Sequence, residues 1–141
     1  MENLLFINII LSLTLINVWL FRFNKPTSYR GGDAKSMKEE FIVYGLPLWS
    51  MYMVGFLKLL ISILLIIGLW ISEFNLYSYA ILSILMIGAL FMHIKVKDPI
   101  IKSIPALSIL ILLIVVATML PDAKQQLYRI LFPYQYQLLE F

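Results

Sequence analysis

Residues 46–71 read LPLWSMYMVGFLKLLISILLIIGLWI, with Lys58 as the only formally charged member. About twenty mostly apolar residues suffice for a helix to cross a bilayer, and this run is longer than that. A lysine at the centre of a span costs roughly 2.5–3.5 kcal/mol on insertion scales, whereas each leucine or isoleucine returns roughly 0.3–0.6 kcal/mol. The dozen Leu, Ile and Phe residues from Phe56 to Ile71 therefore carry the lysine into the membrane. The stretch predicts a membrane helix with a buried cation, and the rest of the chain has to be read as its companions.

Composition points the same way: 62% of residues are hydrophobic and 13% charged, far from the average soluble domain. With 141 residues there is room for one membrane domain. The absence of cysteine excludes disulfides, thiolate catalysis, Cys-ligated zinc and iron–sulfur clusters. The net charge of +3 lies in loops and reads as a topology signal, so nucleic acid is excluded as a partner.

Three further apolar runs surround the central one. Residues 4–21 are broken by Asn8, Ser12, Thr14 and Asn17. A basic leader and a small-residue cleavage site are both missing there, so the run is expected to be a retained span and not a signal peptide. Its polar side chains suit hydrogen bonds to neighbouring helices. Residues 76–94 form a third span and 104–120 a fourth, the latter the most uniformly apolar and expected to face lipid most. The first loop and lead-in, 22–45, contain Pro26 and Gly31-Gly32, followed by a short helix capped by Asp33 or Ser36. Ser72 to Asn75 read as a turn, and Pro99 ends the third span. The tail, 122–141, is too polar to cross again and suits the interface. The expected fold is all-α: a polytopic four-helix transmembrane bundle with a short C-terminal interfacial segment.

Eight cations, Arg22, Lys25, Arg30, Lys35, Lys38, Lys95, Lys97 and Lys102, lie in the first and third loops. Only Lys124 and Arg129 lie in the tail. The positive-inside rule therefore places loops 22–40 and 95–103 in the cytoplasm and both termini outside.

Several of these residues also carry a family resemblance. Gly55-x-x-Lys58, Gly88-Ala89-x-x-x-His93, and Asp98-Pro99 followed by Pro105-Ala106 resemble the DoxX-like membrane proteins. The segment from Tyr29-Arg30-Gly31-Gly32 through Glu40-Phe41 and Tyr44-Gly45 to Lys58 is similar to a bacterial subgroup of that family. The resemblance implies a four-helix bundle of the bacterial inner membrane. It links the family name to a subunit associated with thiosulfate:quinone oxidation, and some relatives to assembly of other membrane proteins.

Five residues are candidates for a ligand or partner site: Lys58, Gly55, Ser62, His93 and Asn17. Gly55, Lys58 and Ser62 share a helix face at i, i+3 and i+7. A lysine at mid-span must be satisfied inside the bundle, and Asn8, Ser12, Asn17 and Ser83 are the expected partners. Gly55 and Gly88 are expected at packed helix interfaces. His93, beside Lys95, reads as a headgroup contact or helix-end residue ahead of a proton relay. Glu39 and Glu40 point about 100° apart on a helix, which suits a solvated face better than an acid/base pair. Gly31-Gly32 beside Arg30 reads as a turn with lipid-facing cations ahead of a phosphate cradle. With one histidine and almost no carboxylate in the spans, a metal site is not expected.

The expected function is a non-enzymatic accessory or binding protein for a hydrophobic molecule or a partner membrane protein, with no cofactor. The alternative is a membrane component of a quinone-linked redox system, with Lys58 or His93 donating to a carbonyl oxygen. A small four-helix transporter ranks last, because no span carries a carboxylate for proton coupling.

Overall fold

The computed structural model of the chain describes residues 2–119 and 131–132. Among the described residues it is all-helical, and four helical segments are long and apolar enough to cross a membrane: Asn3–Phe21, Leu48–Ile67, Glu73–Lys95 and Ile100–Met119. At about 1.5 Å per residue each covers the roughly 30 Å of a hydrocarbon core. The tail expected at the interface lies outside the described residues.

The first segment is α1 (Glu2–Ile16), which runs on into one π-helical turn, Asn17–Phe21. Trp19 is the one buried residue of that wider turn, while Val18, Leu20 and Phe21 face outward. A short helix α2 (Met37–Val43) follows the first loop; Ser36 caps it by accepting the Glu39 amide, as expected for that position. Glu39 in turn accepts the Lys35 amide, and Met37 and Phe41 form the buried face. Gly45 sits at φ +71°, a turn conformation that favours glycine, and Pro47 then caps α3 (Leu48–Ile67). The turn after α3 covers residues 68–72, and α4 (Glu73–Lys95) begins earlier than the sequence suggested. The reason is Asn75, which bonds back to the end of α3 instead of belonging to a turn: its Nδ2 donates to the Gly68 carbonyl at 2.9 Å. A 3₁₀ turn, Ile100–Ser103, leads into α5 (Ile104–Met119), the least buried of the four spans, as its uniform apolarity predicted.

Helix α1 packs on α3, α3 on α4, and α4 on α5. In a medium without water, unpaired polar groups are costly and hydrogen bonds between helices hold the register. Asn8 uses every bonding group it has: Nδ2 donates to the Leu65 carbonyl (3.0 Å) and to Asn75 Oδ1 (2.8 Å), and Oδ1 accepts from Tyr79 (2.5 Å). Ser12 donates to the Ser62 carbonyl at 2.8 Å. Of the four polar residues that break the first run, Asn8 and Ser12 thus reach a neighbouring helix, whereas Thr14 donates to the Ile10 carbonyl of its own helix and the Asn17 side chain reaches no neighbouring helix among the described residues.

Two apolar clusters result. The larger joins Leu11, Leu15, Ile61, Leu65, Leu82, Leu113 and Val116. The smaller, at the loop end, holds Trp19, Met37, Phe41 and Met51.

The two glycines expected at packed interfaces part company. A Cβ on Gly55 would lie 2.8 Å from the Trp19 ring, so an aromatic side chain and not a helix backbone exploits the gap. A Cβ on Gly88 would meet nothing within 4 Å, and Gly88 is exposed, which corrects the expectation that it lies at a packed interface. Glycine within a helix costs about 0.5–1 kcal/mol relative to alanine. Gly88→Ala is therefore expected to keep or raise the melting temperature in detergent, and Gly55→Ala to lower it. The opposite order in a thermal unfolding series would show that Gly88 is the packed residue.

Candidate functional site

Between the two apolar clusters lies a cavity of about 670 Å³, within the roughly 300–1,000 Å³ range of small-molecule sites. Its walls are apolar, with Leu15, Val18, Val54, Leu85, Met86 and Ile109 among them. Lys58 borders it from α3, and a polar layer that includes Arg30, Glu40, Tyr44, His93 and Lys102 borders it at the loop end.

Lys58 does not have the partners expected for it. Asn8, Ser12 and Ser83 are committed to backbone carbonyls or to one another's neighbours, and Asn17 is exposed on the cavity wall. Among the described residues nothing forms a hydrogen bond with the ammonium. It rests instead over the Trp19 ring, 5.2 Å from the centroid, a cation–π contact worth about 2 kcal/mol when desolvated. Trp19 is held in turn by Phe23 and Phe41, with centroids 6.2 and 6.3 Å away, and by the space over Gly55. The π-helical turn therefore sets the ring that positions the lysine.

The polar layer is a connected chain. Arg30, buried, spends its side chain entirely on the loop and on α2: Nε donates to the Lys25 carbonyl (3.0 Å), Nη2 to those of Arg22 (2.6 Å) and Phe23 (3.1 Å), and Nη1 to Glu40 Oε2 (3.1 Å) and Met37 Sδ (3.8 Å). Glu40 Oε1 accepts from the Gly31 amide (2.8 Å) and the Tyr44 hydroxyl (3.0 Å). That hydroxyl also lies 3.4 Å from His93 Nε2, and His93 Nδ1 lies 2.8 Å from Asp98 Oδ2. Asp98 Oδ1 accepts the Gly32 amide at 2.9 Å and pairs with Lys102 at 3.7 Å, while Lys102 also donates to the Gly32 carbonyl. Lys95 adds a bond to the Tyr44 carbonyl at 2.9 Å.

Four readings of the sequence change accordingly. His93 stands in the last turn of α4, the helix-end place expected for it, but it is buried in this chain and is not a headgroup contact. Glu39 is solvated as expected, but Glu40 is paired and 12% exposed. The Gly31 and Gly32 amides hold the protein's own carboxylates, Glu40 and Asp98, and Arg30 and Lys102 are tied up in ion pairs and do not face lipid. Of the five candidate residues, Lys58, His93 and Asn17 line the cavity. Gly55 lies behind it against Trp19, and Ser62 is buried farther along α3, donating to the Leu59 carbonyl at 2.6 Å. Trp19, Arg30, Glu40, Tyr44 and Asp98 were missed.

Charges shift the ionisation of two members. Burial raises the Tyr44 phenol well above its ordinary value, the Glu40 charge and hydrogen bond add to this, and Tyr44 stays a protonated donor. Burial works to raise the Asp98 carboxyl, but the hydrogen bonds from His93 and Gly32 and the Lys102 and His93 charges together hold it below the usual carboxylate range. A carboxyl depressed on folding contributes stability that is present above its unfolded value, about pH 4, and is lost as pH falls through the lower folded value. Asp98→Asn is accordingly expected to lower stability by about 1–3 kcal/mol at neutral pH. Its deficit should shrink as pH drops below about 4. Thermal unfolding of both proteins between pH 7 and pH 3 checks this, and a deficit that stays constant across that range would refute it.

The family of the chain can be stated on this geometry. The model of the DoxX-like family matches residues 30–118, well over half of the chain, from Arg30 through α2, α3, α4 and most of α5. Every polar side chain of the layer lies inside that segment, as does Lys58, whereas Trp19 and the carbonyls of Arg22, Phe23 and Lys25 lie before it. No curated protein and no solved structure matches the chain. With four apolar helices long enough to cross a bilayer, the chain is a multi-pass membrane protein and belongs to the DoxX-like family.

Proposed function

We propose that this protein is a non-enzymatic binding protein of the membrane, which receives a hydrophobic molecule in the cavity between α1, α3, α4 and α5 with Lys58 as its polar anchor. One observation carries the reading: an ammonium at mid-span borders a cavity with all three of its N–H donors free of hydrogen bonds to the described residues. A charge inside a membrane span is expensive and marks function by default. The volume and apolar walls of the site suit a small molecule better than a partner helix.

A quinone-linked reading uses the same anchor, with Lys58 donating to a carbonyl oxygen. His93 is not available for that task, because both its ring nitrogens already face Asp98 and Tyr44. Identification of what copurifies in gentle detergent by mass spectrometry separates the two. Lys58→Met is expected to fold and to lose the copurifying species, and Lys58→Arg to restore it in part, since the two cations differ in shape. A Lys58→Met protein that keeps its full complement of bound molecules would reduce the lysine to a staple, replaceable by an apolar side chain.

The proposed orientation puts the polar layer in the cytoplasm. Six exposed cations support it, Arg22, Lys25, Lys35, Lys38, Lys95 and Lys97, in the first loop and α2 and at and just after the end of α4, segments that pack together at one end. In this cysteine-free chain Ser28→Cys and Ser72→Cys both lie at exposed sites. A membrane-impermeant maleimide added to intact cells is expected to label the second and spare the first, and the reverse pattern would invert the topology.

A further inference from the structure

We infer that the cavity takes a monoanionic amphiphile: a singly charged oxyanion, carboxylate or phosphodiester, seated on Lys58, with its hydrocarbon chain along the apolar wall and out toward lipid. This deepens the reading of the cavity as a ligand site and rests on it.

The charge comes from pairing. Arg30 is paired with Glu40, and each of its side-chain nitrogens donates to the protein. Lys102 is paired with Asp98. The Glu40 charge reaches Lys58, yet both Glu40 oxygens are already taken, Oε2 by Arg30 and Oε1 by Gly31 and Tyr44. Arg22 also lines the cavity but is exposed at its loop end, so Lys58 is the mid-span cation left, among the described residues, without a direct counter-ion, which calls for one negative charge beside it in the ligand. Three free N–H donors call for oxygen acceptors. A cation–π contact offsets only part of what the ammonium loses outside water, and a charge-assisted hydrogen bond from an oxyanion supplies the remainder.

The chain comes from the walls and the mouth. Thr14 and Val18 on the α1 side and Ile84 and Gly88 on α4 line the cavity and are themselves exposed. The space beside Gly88 is open, since a Cβ there would meet nothing within 4 Å. A molecule whose tail already lies in the bilayer enters by this side without crossing water.

Equilibrium binding of radiolabelled oleate to the purified full-length protein tests the inference, with oleyl alcohol and dioleoylphosphatidylglycerol as competitors. Oleate is expected to saturate one site and the alcohol to compete at least tenfold more weakly. Lys58→Gln should weaken oleate to the level of the alcohol while the alcohol is unchanged, and Lys58→Arg should keep most of the oleate affinity. Gly88→Trp, which leaves the lysine in place and fills the mouth, should weaken both. Strong competition by the phosphatidylglycerol would assign the site to a bilayer lipid, and its absence to a free carboxylate; either supports a monoanion. Equal binding of oleate and oleyl alcohol would overturn the anionic class and leave the ligand cavity standing. Failure of both to bind would overturn the cavity reading as well.

Discussion

The pairing of Arg30 with Glu40 is what the loop end of this protein depends on. A guanidinium removed from water is tolerated only if its planar array of donors is met, and here three backbone carbonyls, a carboxylate and a thioether meet it. By collecting the carbonyls of Arg22, Phe23 and Lys25, Arg30 folds the first loop against α2. By holding one oxygen of Glu40, it leaves the other for Gly31 and Tyr44, and Tyr44 leads to His93 and Asp98 on the far side of the bundle. The same saturation of Glu40 and Asp98 is what leaves Lys58 without an anion of its own. Structure at the cap and chemistry in the cavity are two outcomes of one distribution of charges.

The spans were legible because hydropathy acts over twenty residues at a time, and a bilayer admits few other structures for such runs. Lys58 was legible for the same reason, standing alone in hydrocarbon. Its surroundings were not, because they depend on which residues face each other across helices far apart in sequence. Trp19 reaches Lys58 only through a π-helical turn whose extra width leaves no mark in the pattern of apolar residues. The Asp98 carboxylate meets Gly32 across a separation of sixty-six residues. One signal was present and unread. Met37, Glu40, Phe41 and Tyr44 fall at i, i+3, i+4 and i+7, so Glu40 lies on the apolar face of α2 while Glu39 does not. A carboxylate on the buried stripe of a short helix needs a partner, and Arg30 was the cation nearest in sequence on its N-terminal side beyond the turn.

The two ends of the bundle solve the same problem by different chemistry. At the end away from the loops, Asn8, Asn75, Tyr79 and Ser12 satisfy one another and the carbonyls of the buried residues Ser62, Leu65 and Gly68 with neutral groups, and no charge is needed. At the loop end the groups are ionised, and burial raises the stakes of each pairing. Neutral bonds of this kind set helix register at modest strength. Ionised ones bind the loops, which have no hydrocarbon to drive them together.

The link from the first loop to the segment after α4 also bears on how the protein is made. Gly32 and Tyr44 are synthesised early, whereas their partners Asp98, Lys102 and Lys95 follow only after two more helices. Until the chain has grown past Lys102, Gly32 and His93 lack partners they have in the finished fold, and the cavity has no α5 wall. Closure of the polar layer is therefore a late event in membrane insertion. It makes α5, the last and least buried of the four spans, the one whose arrival completes the wall of the cavity.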